Sequence, residues 1–183
     1  LTLMGLGALP ASHDKFLGML GMHGTYEANL AMHGCDVMLN IGARFDDRVT
    51  GRISGFSPKS TKIHCDIDPS SVNKNVAVDH AIIGDATIIL EMLIDEMKRQ
   101  SFVPHKPSLE KWWGMIKGWQ KRDCLAFDQS GDIIKPQHAI KRLCELTAKH
   151  DVYVTTEVGQ HQMWAAQYFG FEQPNRWMTS GGL

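Results

Sequence analysis

Residues 20–51 read LGMHGTYEANLAMHGCDVMLNIGARFDDRVTG, and this stretch decides the class of fold. It contains a glycine-rich turn, a helical segment with Thr25 as its predicted N-cap, and an apolar strand over residues 35–41. The strand stops at Gly42 and is followed at once by two arginines and two aspartates. An apolar strand, a glycine and a charged loop are typical of the carboxyl edge of a sheet that binds nucleotides.

Further short strands and helices follow this stretch. Residues 62–68 and 80–84 predict a second and a third strand, and Asp85 is placed to cap an amphipathic helix. Residues 35–41 show no polar alternation, so we expect that strand to be buried on both faces. The helix after Asp85 is expected to bury one apolar stripe, made of Ile88, Ile89, Met92, Leu93 and Met97. Strand, helix, strand, strand, helix in short units predicts an α/β fold with a doubly wound parallel sheet.

The composition of the chain changes after Gln100. Residues 102–107 carry two prolines and suit a linker, and the tryptophan-rich helix that follows is expected to pack against a neighbouring domain rather than to stack nucleobases. Pro136 suits the first position of another helix. Residues 152–156 then predict a strand, which turns through residues 157–160 into a helix. This second strand–turn–helix unit predicts the opening of a second nucleotide-binding domain.

Length and charge bound the possible functions. The chain has 183 residues and a formal net charge of -1, which gives no argument for nucleic acid or an anionic membrane as partner. No apolar run approaches the roughly 20 residues of a membrane helix. The four cysteines and nine histidines are dispersed, without the spacing of a zinc site. The first and last residues lack the signals that usually begin or end a domain, so we expect an internal fragment.

The charged loop after Gly42 suggests a site for a ligand diphosphate. Such a group needs close backbone N–H donors, which glycine permits, and cations in fixed forks. The candidates for these two roles are Gly21, Gly24, Gly42, Arg44 and Arg48. Asp46 and Asp47 are expected to orient the guanidinium groups by charge-assisted hydrogen bonds. An arginine–aspartate network that only ties the loop down is the alternative.

Acidic residues stand at the ends of the next two strands. Asp66 and Asp68 end one strand, and Gly84 and Asp85 follow the other. Carboxylates in such places can bind ribose hydroxyls, although turn capping by Asp68 and helix capping by Asp85 explain them equally well. Three adjacent strand ends with glycine or aspartate favour an adenosine-containing cofactor. The strict GxGxxG pattern of NAD-binding folds is absent from the sequence.

Four motifs carry a resemblance to a known family: GMHGTYEAN (21–29), GARFDDRVTG (42–51), DIDP (66–69) and EVGQHQMWAAQ (157–167). Together they resemble the catalytic large subunits of the acetohydroxyacid synthase, or acetolactate synthase, family of thiamine-diphosphate enzymes. The resemblance covers essentially the whole chain. It implies three parts: a central FAD-binding domain truncated at its N-terminus (1–100), a linker (101–134), and the C-terminally truncated start of the pyrophosphate domain, which binds thiamine diphosphate (135–183).

The resemblance also implies roles for individual residues. FAD contacts are implied at Thr2, Leu3, Met4, Leu20, Gly21, Met22, His23, Gly42, Ala43, Arg44, Asp46, Arg48, Asp66, Ile67, Gly84, Asp85 and Ala86. Contacts to thiamine diphosphate are implied at Val158, Gly159, Gln160 and His161. The Asp47–Arg48 position belongs to the family's herbicide-sensitive surface. No catalytic residue and no ligand of Mg²⁺ is implied within the chain, so the isolated fragment is expected to be inactive.

The resemblance implies a transferase of branched-chain amino acid biosynthesis. Pyruvate would be decarboxylated on thiamine diphosphate and condensed with a second 2-keto acid, pyruvate or 2-ketobutyrate, while FAD takes no net redox part. A homodimer or tetramer with a small regulatory subunit is expected, in a bacterial cytoplasm, with a plastid or mitochondrion left open. The alternatives are another flavin-containing thiamine enzyme, such as pyruvate oxidase or glyoxylate carboligase, and a non-catalytic nucleotide-binding module.

Overall fold

The computed structural model describes residues 1–181, which form two compact units. One unit combines residues 1–29 with residues 122–181, and the other consists of residues 30–121. Gly182 and Leu183, the last two residues of the predicted second domain, lie outside the described part. Within the described part, no helix has the length and apolar character needed to cross a membrane.

A three-stranded parallel sheet organises the unit of residues 30–121. Strands β1 (Val37–Ile41), β2 (Thr61–Asp66) and β3 (His80–Ile83) lie side by side in chain order. Ile41 is paired with Cys65, and Asp66 with Ile83, so the three strands end almost level. The predicted strands at 35–41, 62–68 and 80–84 are therefore confirmed, each slightly shorter than expected.

Four helices accompany this sheet. They are α1 (Tyr26–Gly34), whose first residues belong to the other unit, α2 (Asp47–Thr50), α3 (Ala86–Arg99) and α4 (Lys106–Gln120). Thr25 caps α1 as predicted, because its Oγ1 accepts the N–H of Ala28 at 3.3 Å. Two short 3₁₀ turns, Ile53–Gly55 and Pro69–Ser71, complete the connections between the strands.

The burial predicted for two of these elements is wrong. Val37 and Leu39 of β1 are 54% and 42% exposed, because the described residues cover that strand on one side only. Four members of the predicted stripe on α3, Ile88, Met92, Leu93 and Met97, are also exposed, and only Ile89 is buried. The apolar pattern was identified correctly, but an apolar side chain is buried only where another element packs against it.

Packing in the unit of residues 30–121 is concentrated on one side of the sheet. Phe45, Phe56 and Val76 form its buried cluster, with Met38 of β1 packed against them. The ring of Phe45 meets those of Phe56 and His64 edge to face, at centroid distances of 5.7 and 5.0 Å. These contacts attach the loop after β1 to the body of the unit.

A second, smaller parallel sheet belongs to the other unit. Strands β4 (Val154–Thr156) and β5 (Trp177–Thr179) pair over three residues, and helices α5 (Pro136–Thr147) and α6 (Gln160–Tyr168) precede and follow β4. The predicted strand at 152–156 and the following helix are confirmed. Residues 2–10 form a 3₁₀ turn at Leu3–Gly5 and a loop. The buried core contains Leu6, Met19, Ala165, Ala166, Phe171 and Trp177.

Candidate cofactor-binding sites

Three strand ends meet at the carboxyl edge of the larger sheet. The N–H of Gly42 donates to the carbonyl of Cys65 at 2.8 Å, and the N–H of Gly84 donates to the carbonyl of Asp66 at 3.0 Å. Gly42, Asp66 and Gly84 are therefore neighbours across the sheet, as the sequence predicted. The carboxyl edge of a parallel sheet is where α/β folds bind their ligands.

The loop that follows Gly42 has an unusual backbone that two asparagine side chains stabilise. Gly42 and Phe45 have φ of 69° and 55°, and this left-handed region is uncommon for a residue as large as phenylalanine. Asn40 Nδ2 donates to the carbonyl of Ala43 at 2.6 Å, and Asn75 Nδ2 donates to the carbonyl of Phe45 at 3.1 Å. The bonds to these carbonyls, with the buried Phe45 ring, determine where the flanking arginines lie.

Both arginines of the loop are paired with aspartates, as predicted. Arg44 Nη2 lies 3.1 Å from Asp46 Oδ2, and Arg48 Nη1 lies 2.9 Å from Asp47 Oδ2. The two arginine side chains are nevertheless 64% and 71% exposed. Exposed ion pairs contribute only about 0–1 kcal/mol, so the guanidinium groups can exchange part of this pairing for a ligand phosphate.

The acidic residues at the strand ends have different partners. Asp85 Oδ1 caps α3 by accepting the N–H groups of Thr87 at 2.8 Å and Ile88 at 3.3 Å. Asp68 accepts the N–H of Ser70 at 2.9 Å, and this backbone hydrogen bond is the main cause that lowers the pKa of its carboxyl group. The capping roles considered for these two residues are thus present.

Asp66, at the end of β2, is buried in the sheet. Only 7% of it is exposed, and its Oδ1 accepts the N–H of Asp68 at 2.9 Å. Its Oδ2 lies 3.5 Å from Nε2 of the fully buried His64, and neither ring nitrogen of His64 has a hydrogen-bond partner among residues 1–181. Asp66 therefore shapes the turn after β2, and Ile67 beside it is 71% exposed.

The structure divides the residues implied for FAD between the two units. The unit of residues 30–121 brings ten of them to one sheet edge: Gly42, Ala43, Arg44, Asp46, Arg48, Asp66, Ile67, Gly84, Asp85 and Ala86. The others lie in the unit of residues 1–29 and 122–181: Thr2, Leu3, Met4, Leu20, Gly21, Met22 and His23. Within that unit the N–H of Leu20 donates to the carbonyl of Leu1 at 2.7 Å, which places the two runs beside each other.

The glycine-rich loop of residues 18–24 is tightly folded. Asn29 clamps Gly21 at both backbone groups, its Oδ1 accepting the N–H and its Nδ2 donating to the carbonyl, each at 2.9 Å. The N–H of Gly24 donates to the carbonyl of Gly21 at 2.9 Å, and Gly21 has a φ of 108°. Met22 is 62% exposed, so the loop presents a side chain outward from a fixed backbone.

The residues implied for thiamine diphosphate lie at the start of α6. Gly159 is the N-cap residue and offers no side-chain cap, and Gln160 and His161 begin the helix. The first N–H groups of a helix have no partner within it and can bind an anion. Gln162 anchors this turn, because its Nε2 donates to Thr179 Oγ1 at 2.6 Å and to the carbonyl of Ser180 at 2.9 Å.

Several residues that shape these sites were missed in the sequence. They are the amide side chains of Asn29, Asn40, Asn75, Gln162 and Gln167. Their partners are backbone groups or hydroxyls that the sequence pattern does not indicate, and Asn75 acts across 30 residues. Within residues 1–181, no group of three or more His, Cys, Asp or Glu side chains is arranged to bind a metal ion.

Comparison with known families decides where the chain belongs. The family model for the central domain of thiamine pyrophosphate enzymes matches residues 1–93, and the model for their C-terminal TPP-binding domain matches residues 157–183. The chain belongs to the thiamine pyrophosphate enzymes. The larger parallel sheet is therefore part of that family's central domain, and α6 lies in the segment that matches its TPP-binding domain.

Individual members of the family are similar over the whole chain. Acetolactate synthase isozyme 3 large subunit of Escherichia coli is 50% identical over 184 residues, which include 100% of this chain and 32% of the relative. Acetolactate synthase large subunit of Haemophilus influenzae is 46% identical over 181 residues, 99% of this chain and 31% of the relative. Acetolactate synthase of Mycobacterium leprae is 43% identical over 183 residues, 100% of this chain and 29% of the relative.

These similarities confirm the resemblance inferred from the four motifs. The chain spans about a third of the length of the curated relatives it matches. It covers 32% of the Escherichia coli protein and 31% of the Haemophilus influenzae protein.

Proposed function

We propose that these residues are part of the large subunit of an acetolactate synthase. The observation that carries this proposal is the 50% identity with the Escherichia coli large subunit over the entire chain. The enzyme would decarboxylate pyruvate and condense the remaining two-carbon unit with pyruvate or 2-ketobutyrate, in branched-chain amino acid biosynthesis. Bound thiamine diphosphate supplies the electron sink that decarboxylation needs. The residues described here bind and orient cofactors, and we assign none of them a catalytic role.

FAD contacts are proposed at the carboxyl edge of the larger sheet. In the other unit, FAD contacts are proposed at the segments 2–4 and 20–23. The donor chemistry of the sheet edge fits a dinucleotide, because two exposed guanidinium groups, those of Arg44 and Arg48, stand on a loop of fixed backbone. Gly42 adds a left-handed residue with open space where a Cβ would project. The N–H groups at the start of α3 are already capped by Asp85, so the arginines are the main groups for the diphosphate.

Thiamine diphosphate is proposed to bind through its diphosphate at the start of α6, near Val158, Gly159, Gln160 and His161. The uncapped first turn is the feature that fits, since it leaves N–H donors for an anion. Gln162 would fix the orientation of this turn through its bonds to Thr179 and Ser180. The Mg²⁺ that accompanies the diphosphate would take its protein ligands from outside these residues.

The remaining features of the proposed enzyme concern its organisation. We expect the larger sheet to be part of a doubly wound FAD domain over residues 1–100, a linker over residues 101–134, and a thiamine-diphosphate domain from residue 135 onward. Catalytic subunits would form a homodimer or tetramer with a small regulatory subunit in a bacterial cytoplasm. The chain of residues 1–183 by itself would show no turnover.

The proposal is tested by assaying acetolactate formation from pyruvate with the full-length enzyme. The purified apoenzyme is supplied with thiamine diphosphate, Mg²⁺ and FAD, and each cofactor is then omitted in turn. We expect acetolactate only when all three are present, and a mixed 2-acetohydroxy acid when 2-ketobutyrate is added. Acetyl phosphate, acetate or tartronate semialdehyde (the last from glyoxylate) as the main product would assign the enzyme to the oxidases or to glyoxylate carboligase. Absence of any keto acid turnover would favour a non-catalytic module.

A further inference from the structure

A hydrogen bond joins the two cofactor segments of the unit formed by residues 1–29 and 122–181. Gln167, near the end of α6, donates from Nε2 to the backbone carbonyl of His23 at 2.8 Å. His23 closes the run 20–23 proposed for FAD, and α6 begins at Gln160 and His161, proposed for thiamine diphosphate. The bond is partly buried and bridges 144 residues of sequence.

The parts on either side of this bond are each held by further hydrogen bonds. The loop of residues 18–24 is clamped by Asn29 and bonded across its base, where the N–H of Thr25 donates to the carbonyl of Met19 at 2.9 Å. Helix α6 is fixed at its start by Gln162. A displacement at one segment can therefore pass to the other as a rigid movement, and Gln167 is a polar connection through which it passes.

We propose that Gln167 is a positioning residue that couples the FAD site to the thiamine-diphosphate site. This inference rests on the proposed function, because it takes both segments as cofactor-binding. Each cofactor orders the segment it binds, and through the bond from Gln167 to His23 it also orders the other. Binding of the second cofactor then costs the protein less conformational entropy, so each cofactor raises the affinity for the other. Thermodynamic linkage requires the two effects to be equal in size.

Apolar packing also connects these parts, but it does not give the same constraint. Met19 packs in the same apolar core as Ala165 and Ala166, and this packing attaches the loop to the helix without a preferred direction. The hydrogen bond from Gln167 instead fixes the orientation of one peptide carbonyl, beside the exposed Met22. We therefore expect loss of the bond to reduce the coupling while the fold of the unit is retained.

The test uses the full-length apoenzyme and two variants of Gln167. Q167E keeps the shape of the side chain but replaces the donor with an acceptor, and Q167M keeps its length without any donor. The matched control is Y168F on the same helix, which removes a hydrogen bond of 3.2 Å from the Tyr168 hydroxyl to the carbonyl of Leu125. FAD affinity is measured by quenching of flavin fluorescence, with and without thiamine diphosphate and Mg²⁺.

In the unmodified enzyme and in Y168F, we expect thiamine diphosphate with Mg²⁺ to lower the Kd for FAD about three- to tenfold, the range of one net hydrogen bond. In Q167E and Q167M, that factor should fall to about one. The same factors should appear when thiamine diphosphate is titrated with and without FAD. Hydrogen exchange of the Gly24 and Thr25 amides should slow on addition of thiamine diphosphate in the unmodified enzyme but not in Q167M.

Two results would overturn the inference. One is an unchanged coupling factor in folded Q167E and Q167M, and the other is an equal loss of coupling in Y168F. Failure of the proposed function has a different signature, because the unmodified enzyme would then bind only one of the two cofactors, or neither. Circular dichroism of each variant shows whether its fold is retained. If the added charge of Q167E prevents folding, the coupling factor of Q167M alone decides the test.

Discussion

The side chain of Asn29 makes two reciprocal hydrogen bonds with the backbone of Gly21. Its Oδ1 accepts the Gly21 N–H and its Nδ2 donates to the Gly21 carbonyl, both at 2.9 Å. The first helix of the chain thereby fixes a glycine whose φ of 108° few other residues adopt. A short loop proposed to bind FAD thus owes its shape to a residue outside that loop.

Replacement of Asn29 with alanine should therefore destabilise the protein. Two partly buried hydrogen bonds are lost, and the Gly21 amide loses its partner, so we expect the free energy of unfolding to fall by about 1–3 kcal/mol. Asn29→Asp retains the acceptor and should lose less. Urea unfolding of the full-length protein measures both. An Asn29→Ala protein as stable as the unmodified one would show that the clamp contributes nothing.

Gly24 should tolerate no side chain, for steric reasons. A Cβ there would overlap the carbonyl oxygen of Met19 and lie 2.8 Å from the Gly21 nitrogen, both of which are backbone atoms. We expect Gly24→Ala to distort the loop and to weaken FAD binding more than tenfold, measured by flavin fluorescence. The control is Gly114→Ala in α4. An added Cβ at Gly114 has no atom within 4 Å apart from its chain neighbours and the backbone of its own helix.

Gly114→Ala should stabilise its helix by up to about 1 kcal/mol, because alanine has the higher helix propensity, and it should leave FAD binding unchanged. Equal effects of the two substitutions on FAD affinity would contradict the steric argument for Gly24.

Substitution of either arginine in the loop after β1 should weaken FAD binding, whereas substitution of a nearby arginine should not. Arg44→Ala and Arg48→Ala each remove a guanidinium proposed to bind the diphosphate, and we expect the Kd for FAD to rise about tenfold or more for each. Arg52→Ala, a control in the same exposed segment, should leave the Kd unchanged. Isothermal titration with FAD compares the three. A loss of affinity shared equally by Arg52→Ala would point to general charge attraction instead.

The cap at Asp68 should make a contribution to stability that depends on pH. The N–H of Ser70 stabilises the carboxylate form, so the pKa of Asp68 in the folded protein lies below its ordinary value of 3.8. The stabilisation is present above about pH 4 and is lost as the pH falls through the lowered pKa. Urea unfolding of the unmodified protein and Asp68→Ala should therefore differ at neutral pH and converge in acid. A difference that is constant with pH would contradict this.

The sequence predicted the elements of the fold better than their burial. The three strands and the caps at Thr25 and Asp85 follow from local patterns, because strand propensity and capping depend on neighbouring residues. The exposure of Val37, Leu39 and Met92 could not be predicted, since burial depends on which other element packs against a side chain. The same reason explains why the links from Asn75 and Gln167 were missed, as each joins segments far apart in sequence.

The candidate sites, too, could be predicted only in part. The level strand ends at Gly42, Asp66 and Gly84 follow from the parallel pairing that short apolar strands predict. The choice between capping and ligand binding at Asp68 could not be made from sequence, because both uses require a carboxylate in the same place. The structure shows the cap directly, through the N–H of Ser70.

We propose that these residues belong to an acetolactate synthase whose FAD is bound but is not reduced in the reaction. The most direct test follows anaerobic turnover of pyruvate by the full-length enzyme, with acetolactate and the flavin absorbance recorded together. We predict that acetolactate accumulates over many turnovers while the flavin stays oxidised. Flavin that bleaches as pyruvate is consumed, without acetolactate, would contradict the claim and assign the enzyme to the flavin-dependent oxidases.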